Sequence, residues 1–415
     1  MPTSPVPSRV LVAAGAALAC VAAAAPTWAQ SSGGYQIVES QTSIVGRHLS
    51  RTASTVQVGA DPINRFEMVR VVRAEIPAEA LRGTLLILPP ISAGFENYEV
   101  DEDGGYDDSF AAFFADRGYD VWGLSQRTHG LVAGSCESGA VDCTAMGSWG
   151  MQTLLDDAGF VRQQIVAIHP GERPAVGGVS LGSIAGVALV DAHPDDYAGA
   201  ILLEGALYDE DPESRAIAQS FCGLFDSLLS VGVYYDGQQL PGMRMLAQLA
   251  TIDPEGPSPV PGFPAGFTNH QVFVGAMSAP GVSPLTPRPG YFFLSGDAAQ
   301  DVFTYANDAF ARANMSTFSD YASLRMIRDV DCGLAGERTF TSNLASFRGP
   351  VFMNGGGHGF GPAMLDTVAL MTSAQVTVNY VEQFGHMDHI FAFDHRSLTE
   401  EPLVAWLRDE VFVGR

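Results

Sequence analysis

The chain has 415 residues, 47% of them hydrophobic and 16% charged, with 46 Asp plus Glu against 22 positive residues, all of them Arg. That length and apolar content suit one large α/β domain with an insertion, or two domains, around a sizeable core. A formal charge of −24 without a basic cluster argues against nucleic acid and anionic membranes as partners, because both require basic patches.

The N-terminus reads as a targeting segment. Arg9 is the only charge before the apolar run Val10 to Ala25, and Thr27 and Ala29 put small residues where a signal peptidase reads. Cleavage after Ala29 would remove residues 1–29 and leave a secreted or periplasmic protein. The run is too short and too Ala-rich for a membrane span, and no later stretch is long enough, so no stable membrane span is expected. Cys20 lacks a Leu three residues upstream, which argues against a lipid anchor there. Removing Cys20 leaves Cys136, Cys143, Cys222 and Cys332, an even set that suggests disulfides in an exported chain. Cys136 with Cys143 is the simplest local pair, and Cys222 with Cys332 would then cross-link the middle of the chain.

Taken in order, Gln36 to Val45 and Phe66 to Ile76 read as early strands. Gly83 to Leu88 is a compact apolar run, read as a buried strand stopped by Pro89-Pro90. Ser109 to Arg117 is predicted as a helix with Phe110, Phe113 and Phe114 on one face. Asp120 to Leu124 is the next strand, and Trp149 to His169 a long helix. Ala175 to Val179 is a strand, Leu181 to His193 a helix, and Tyr197 to Leu203 another strand. This alternation predicts an α/β fold with a mostly parallel sheet and helices on both faces. From about Ala206 to Phe347 it stops. Residues 253–289 are rich in Pro and Gly with Phe263, Phe267 and Phe273 interspersed, and helices are predicted only near 213–229, 242–251 and 304–314. Strand–helix alternation resumes with Pro350 to Asn354, Leu365 to Thr372, Val376 to Val381 and a terminal helix over Leu403 to Val411. The expected organisation is therefore a core of residues 30–205 and 348–415, with 206–347 as a cap whose Phe263 and Phe267 line a pocket entrance.

Gly178-Val179-Ser180-Leu181-Gly182 fits G-x-S-x-G between a predicted strand and a predicted helix, the setting of a nucleophile elbow. Small neighbours let the backbone bend sharply around the serine. A serine hydroxyl needs a base within hydrogen-bond reach, and the base needs an orienting partner. His386 lies in the loop after the last predicted strand, with His389 as a competing base on the following helix. Arg127 and His129 follow a sheet strand, where they could border the site, but read as solvated loop residues. No histidine pair has metal-ligand spacing and no dinucleotide or phosphate-loop motif is present, so no metal and no cofactor are expected.

Three stretches, Gly118-Tyr119-Asp120-Val121-Trp122-Gly123, the elbow, and Gly385-His386-Met387-Asp388-His389-Ile390-Phe391-Ala392, resemble the α/β-hydrolases, and among them the acid lipases. The resemblance covers roughly residues 80–205 and 348–412; the middle of the chain takes no part in it. It implies an α/β-hydrolase fold with a large cap insertion and ester hydrolysis through an acyl-enzyme, Ser180 as nucleophile and His386 as base. The oxyanion donors would be the N–H groups of Leu181 and Ile91, the latter at the end of Pro89-Pro90-Ile91, where those lipases carry His-Gly and an apolar residue. The acid departs from the pattern: Gly355-Gly356-Gly357-His358 stands where those lipases carry an Asp, and Asp366 falls on the predicted helix. Glu204, where Ala200 to Leu203 leaves the sheet, is the other placement used in this fold, as in some haloalkane dehalogenases, and is favoured over Asp366.

A secreted serine esterase or lipase acting on a small-molecule or lipid ester is the leading expectation. A peptidase or amidase on the same scaffold remains open, with Glu210, Asp211 and Glu213 available to hold a substrate amine. A secreted binding protein that merely kept the fold is disfavoured by the order Ser…Glu…His.

Overall fold

The computed structural model describes residues 34–77, 80–101, 104–237, 239–279 and 292–415. The expected signal segment, its cleavage point at Ala29 and Cys20 lie outside the described residues.

Nine strands form one sheet. They are β1 (Tyr35–Val45), β2 (Leu49–Val58), β3 (Arg65–Arg73), β4 (Gly83–Leu88), β5 (Tyr119–Leu124), β6 (Ala175–Val179), β7 (Gly199–Leu203), β8 (Val351–Gly356) and β9 (Val376–Val381). Their order is β1-β2-β3-β5-β4-β6-β7-β8-β9. The pairs from β1 through β3 to β5 are antiparallel, and the pairs from β5 through β9 are parallel.

The central strands are apolar along their whole length because both faces are covered. Leu86, Leu88, Trp122, Val176 and Leu202 point into one core, with α2 (Met151–Ile168) and α3 (Leu181–Ala192) packed on that face. Leu85, Ile87, Val121, Ile201 and Leu203 point into the other, covered by α1 (Phe110–Asp116) and the C-terminal segment carrying Leu403, Trp406 and Phe412. Ser109 caps α1 by accepting from Ala112 N.

Strand β2 was not expected. Its buried positions are Thr52, Ser54 and Val56 on one face and Leu49 on the other, so small polar residues hide the alternation. Thr42 with Thr52 and Ser40 with Ser54 pair their hydroxyls across β1 and β2, each at 2.9 Å, which lets these polar side chains lie between strands.

Between β7 and β8 the chain leaves the sheet. It forms α4 (Pro212–Ser230), α5 (Gln239–Ile252), α6 (Asn269–Ser278), α7 (Asp308–Met315) and α8 (Leu324–Leu334). The sequence reading missed α6 and α8 and began α7 four residues early. Both omissions had a legible signal. Thr268 and Gln271 form a capping box at the start of α6, and Met326, Val330 and Leu334 recur every four residues along α8. This segment lies directly on the loops at the carboxyl edge of the sheet: Ser319 N donates to Ser92 O at 2.6 Å and Asn307 N to Phe391 O at 2.6 Å.

Disulfides join Cys136 to Cys143 and Cys222 to Cys332, with Cα–Cα distances of 5.6 and 4.9 Å. The second ties α4 to α8. In the chain-entropy account, a separation of 110 residues restricts the unfolded chain by about 5 kcal/mol and one of 7 by about 2 kcal/mol. Replacing Cys222 and Cys332 together by Ser should therefore lower the urea midpoint more than replacing Cys136 and Cys143. The reverse ranking would contradict this.

Among the described residues, no helix is long and apolar enough to cross a membrane. Their one grouping of metal-type side chains, Cys222, Cys332 and Glu337, uses both sulfurs of a disulfide and offers no thiolate.

Candidate active site

The strand order reverses at β4: the chain next lays down β5 on one side of it and β6 on the other. The crevice outside the carboxyl ends of such strands is where open α/β sheets place their sites. Ser180 stands there, between the last residue of β6 and the first of α3, with φ 57° and ψ −119°. Its N–H donates to Leu203 O at 2.8 Å and its carbonyl accepts from Ile184 N at 3.1 Å, so strand and helix meet at this one residue. The elbow glycines are needed for close approach. A Cβ on Gly182 would collide with Leu88 O, and one on Gly178 with Leu88 O and the Tyr98 hydroxyl.

His386 comes from the loop after β9. Its Nε2 is 3.0 Å from Ser180 Oγ and its Nδ1 is 3.3 Å from Glu204 Oε2. Glu204 leaves β7 with φ 54° and is wholly buried. Its Oε2 also accepts from Phe360 N at 2.9 Å, and its Oε1 accepts from Gly356 N. A buried carboxylate is costly without such donors, and here it has three. Asp366 is not part of this arrangement. It lies on α9 (Gly361–Ala369), and its Oδ2 accepts from Glu210 N at 2.8 Å.

Four non-glycine residues among those described have positive φ: Ser92, Ser180, Glu204 and Asp301. Ser180 and Glu204 meet at His386, and Ser92 follows Ile91. Such conformations cost about 1–3 kcal/mol each and persist where the surroundings enforce them, which is commonest at functional sites.

Leu181 opens α3, so its N–H has no partner within the helix. Ile91 N likewise makes no hydrogen bond among the described residues. The loop carrying Ile91 is fixed on both sides: Gln126 Nε2 donates to Pro90 O at 2.5 Å, and Ser319 N to Ser92 O.

Aromatic rings enclose the imidazole. Phe292 stacks on His386 at 5.1 Å and 22°, while Phe293 and Phe360 meet it edge-on at 5.5 and 5.1 Å. His386 N donates to Phe292 O at 2.7 Å and Met387 N to Phe293 O at 3.0 Å, so the segment before β8 is hydrogen-bonded to the histidine loop itself. Ser180 is 9% exposed and His386 4%. The sequence reading had singled out Phe263 and Phe267 instead. Phe263 packs on Gly275 of α6, where a Cβ would meet its ring at 3.1 Å. The adjacent rings Phe292-Phe293 were visible in the sequence, but nothing local linked them to a histidine 94 positions later.

His389, the competing base, contacts Glu204 and not Ser180: its Nε2 is 4.0 Å from Glu204 Oε1. Burial holds its pKa below the ordinary value, so it stays neutral. Burial also pushes Asp388 up to about 7; its Oδ2 accepts from Gly385 N at 2.7 Å and steadies the histidine loop.

Arg127 and His129 are half-buried and ion-paired rather than free in solvent. Arg127 pairs with Asp157 at 2.7 Å, and His129 with Glu96 at 2.7 Å, which raises the His129 pKa against the opposing effect of burial. A cavity of about 430 Å³ opens beside Arg127, lined also by Ile63, Leu131, Val132 and Val141. None of Ser180, His386 and Glu204 lines it, so its size does not make it the site. Of the acids available for a substrate amine, Asp211 is spent capping α4 by accepting from Glu213 N and Ser214 N, and Glu210 and Glu213 are exposed beside it.

Residues 100–239, about a third of the chain, match the model of the serine aminopeptidase family S33 and include both Ser180 and Glu204. The fold is similar to that of a "putative lipase" from Sulfolobus solfataricus, at 17% identity over 90% of this chain and 98% of that one, with a TM-score of 0.60. It is also similar to a highly thermostable carboxyl esterase from Bacillus coagulans, at 14% identity over 92% and 99% of the two chains, with a TM-score of 0.50. No curated protein matches the sequence. With its strand order, its elbow and these likenesses, the chain is an α/β-hydrolase in fold.

Proposed function

We propose that this protein is an exported serine hydrolase that cleaves uncharged carboxylic esters through an acyl-enzyme on Ser180. The observation that carries the reading is the hydrogen-bonded series Ser180 Oγ, His386 Nε2, His386 Nδ1, Glu204 Oε2, set within a cage of phenylalanine rings.

In this reading His386 Nε2 takes the Ser180 proton as Oγ attacks the ester carbonyl carbon. The carbonyl π electrons move onto oxygen, and the N–H groups of Leu181 and Ile91 receive the resulting negative charge. Collapse breaks the bond to the alcohol oxygen, which leaves with the proton from His386. Water then repeats the sequence on the acyl-enzyme and releases the acid. Glu204 is never the base; its charge stabilises the imidazolium that exists between the two proton transfers.

Residues 206–347 act as a cap in this account, with Phe292 and Phe293 presenting an apolar wall to the substrate beside Phe360 from the core. That wall favours a lipophilic acyl or alcohol group over a charged one. The disulfides accord with an oxidising compartment outside the cytosol.

A peptidase or amidase is the second reading, supported by the match of residues 100–239 to the serine aminopeptidase family. The use of Asp211 as a helix cap and the exposure of Glu210 and Glu213 weigh against an amine-binding site there.

The deciding assay sets p-nitrophenyl esters of graded chain length beside the matching p-nitroanilides. The ester reading predicts kcat/KM higher on esters by at least a thousandfold and rising with acyl length. Aminoacyl anilides hydrolysed faster than neutral esters would establish the second reading instead.

A further inference from the structure

The oxyanion donors assigned above lie on two separate chain segments, and one side chain ties those segments together. The β4–β6 ladder ends at the pair Leu88 and Gly178. It cannot go further, because Pro89 and Pro90 have no N–H to offer. Ser180 N already turns to β7, where it donates to Leu203 O, so the Val179 N–H before it faces β4. At this last rung stands the hydroxyl of Tyr98, from the short turn Phe95–Tyr98 that follows the Ile91 loop. It donates to Leu88 O at 2.8 Å and accepts from Val179 N at 2.8 Å.

The group is set in place from every side. Tyr98 is 3% exposed and its ring packs against Phe95 and Phe110. A Cβ on Gly178 would meet its hydroxyl oxygen at 2.7 Å, so the glycine before Val179 is what admits it. Burial raises the phenol pKa, so the hydroxyl keeps its proton and both hydrogen bonds persist across any working pH.

The consequence is geometric. Leu88 lies three residues before Ile91, and Val179 lies two before Leu181. Clamping Leu88 to Val179 therefore sets the separation of the two N–H groups that must converge on one oxygen. We propose that Tyr98 is a positioning residue of the oxyanion hole: its hydroxyl, wedged at the end of the β4–β6 ladder, fixes the spacing of the Ile91 and Leu181 donors. It touches no substrate and moves no proton. This rests on the serine-hydrolase reading of the same site.

The test is Tyr98→Phe, which keeps the ring and removes the clamp. A tyrosine serving only to fill the core would lower stability and leave each folded active site working normally. A positioning role lowers kcat by about 10- to 100-fold, because small misplacements of oxyanion donors are costly. It leaves KM for a p-nitrophenyl ester within threefold. Affinity for a trifluoromethyl ketone, which forms the tetrahedral oxyanion on the enzyme, should fall by the same factor as kcat/KM. The acid limb of the pH–rate profile should not move, since His386 and Glu204 are untouched.

p-Aminophenylalanine at position 98 retains a donor and an acceptor, and should return kcat to within fivefold of wild type. It also serves if the Phe variant does not fold, because its ketone affinity and kcat/KM must still fall by one common factor. The proposal is overturned if Tyr98→Phe keeps kcat and ketone affinity within twofold per titrated site, or if ketone affinity and kcat/KM change by different factors in either variant. An inactive wild-type protein would instead overturn the hydrolase reading.

Discussion

Ser180→Ala is expected to lower kcat on a p-nitrophenyl ester by a factor on the order of a million, leaving only the catalysis that binding and the oxyanion donors supply. The fold should survive. The Ser180 backbone bonds to Leu203 O and from Ile184 N do not involve the side chain, and among the described residues Oγ hydrogen-bonds only to His386 Nε2. Alanine meets the same backbone strain at φ 57° as serine does, so the substitution adds none. The thermal midpoint should move by only a few degrees while activity disappears. Activity within tenfold of wild type would falsify the assignment of the nucleophile.

The acid is the second large effect. Glu204→Gln should lower kcat by about ten thousandfold, because the imidazolium loses its negative partner and the tautomer is no longer enforced. It should cost stability as well. Gly356 N, Phe360 N and His386 Nδ1 all direct toward this side chain, and an amide oxygen cannot replace two carboxylate oxygens for all three. Asp366→Asn should leave kcat within twofold, since an amide oxygen can still accept from Glu210 N. A large loss with Asp366→Asn alone would restore the usual position of the acid after β8 and overturn the role given to Glu204. Comparing the two variants by kcat rather than by yield separates the catalytic loss from the folding cost.

Much of this arrangement was legible in the sequence because it depends on local punctuation. The elbow announces itself through glycines between an apolar run and a helix. Glu204 stands out because a carboxylate directly after Ala200 to Leu203 must find donors or remain an expensive buried charge. His386 is marked by its place between the last strand and the C-terminal helices. The central strands were readable because burial on both faces makes them uniformly apolar.

What escaped depends on chain segments meeting from far apart. The ring of Phe292 lies on His386 only because residues after α6 return to the histidine loop, and no spacing encodes that return. Tyr98 reads as one more aromatic residue near Phe95 and Phe110; its function lies in two hydrogen bonds to strands that are not its neighbours in sequence. Strand β2 was hidden because Thr52 and Ser54 occupy buried positions on it. Ion pairing of Arg127 with Asp157 was likewise invisible, since their partnership needs α2 to pack beside the loop after β5.

The central claim is that Ser180 forms a covalent acyl-enzyme. It is tested most directly by inactivating the protein with a fluorophosphonate, weighing the intact chain and mapping the modified peptide. The account predicts one adduct per chain, formed at the rate at which esterase activity is lost, located on Ser180 and absent from the Ser180→Ala variant. Full ester hydrolysis without an adduct, or an adduct on another residue with Ser180 unmodified, would contradict it.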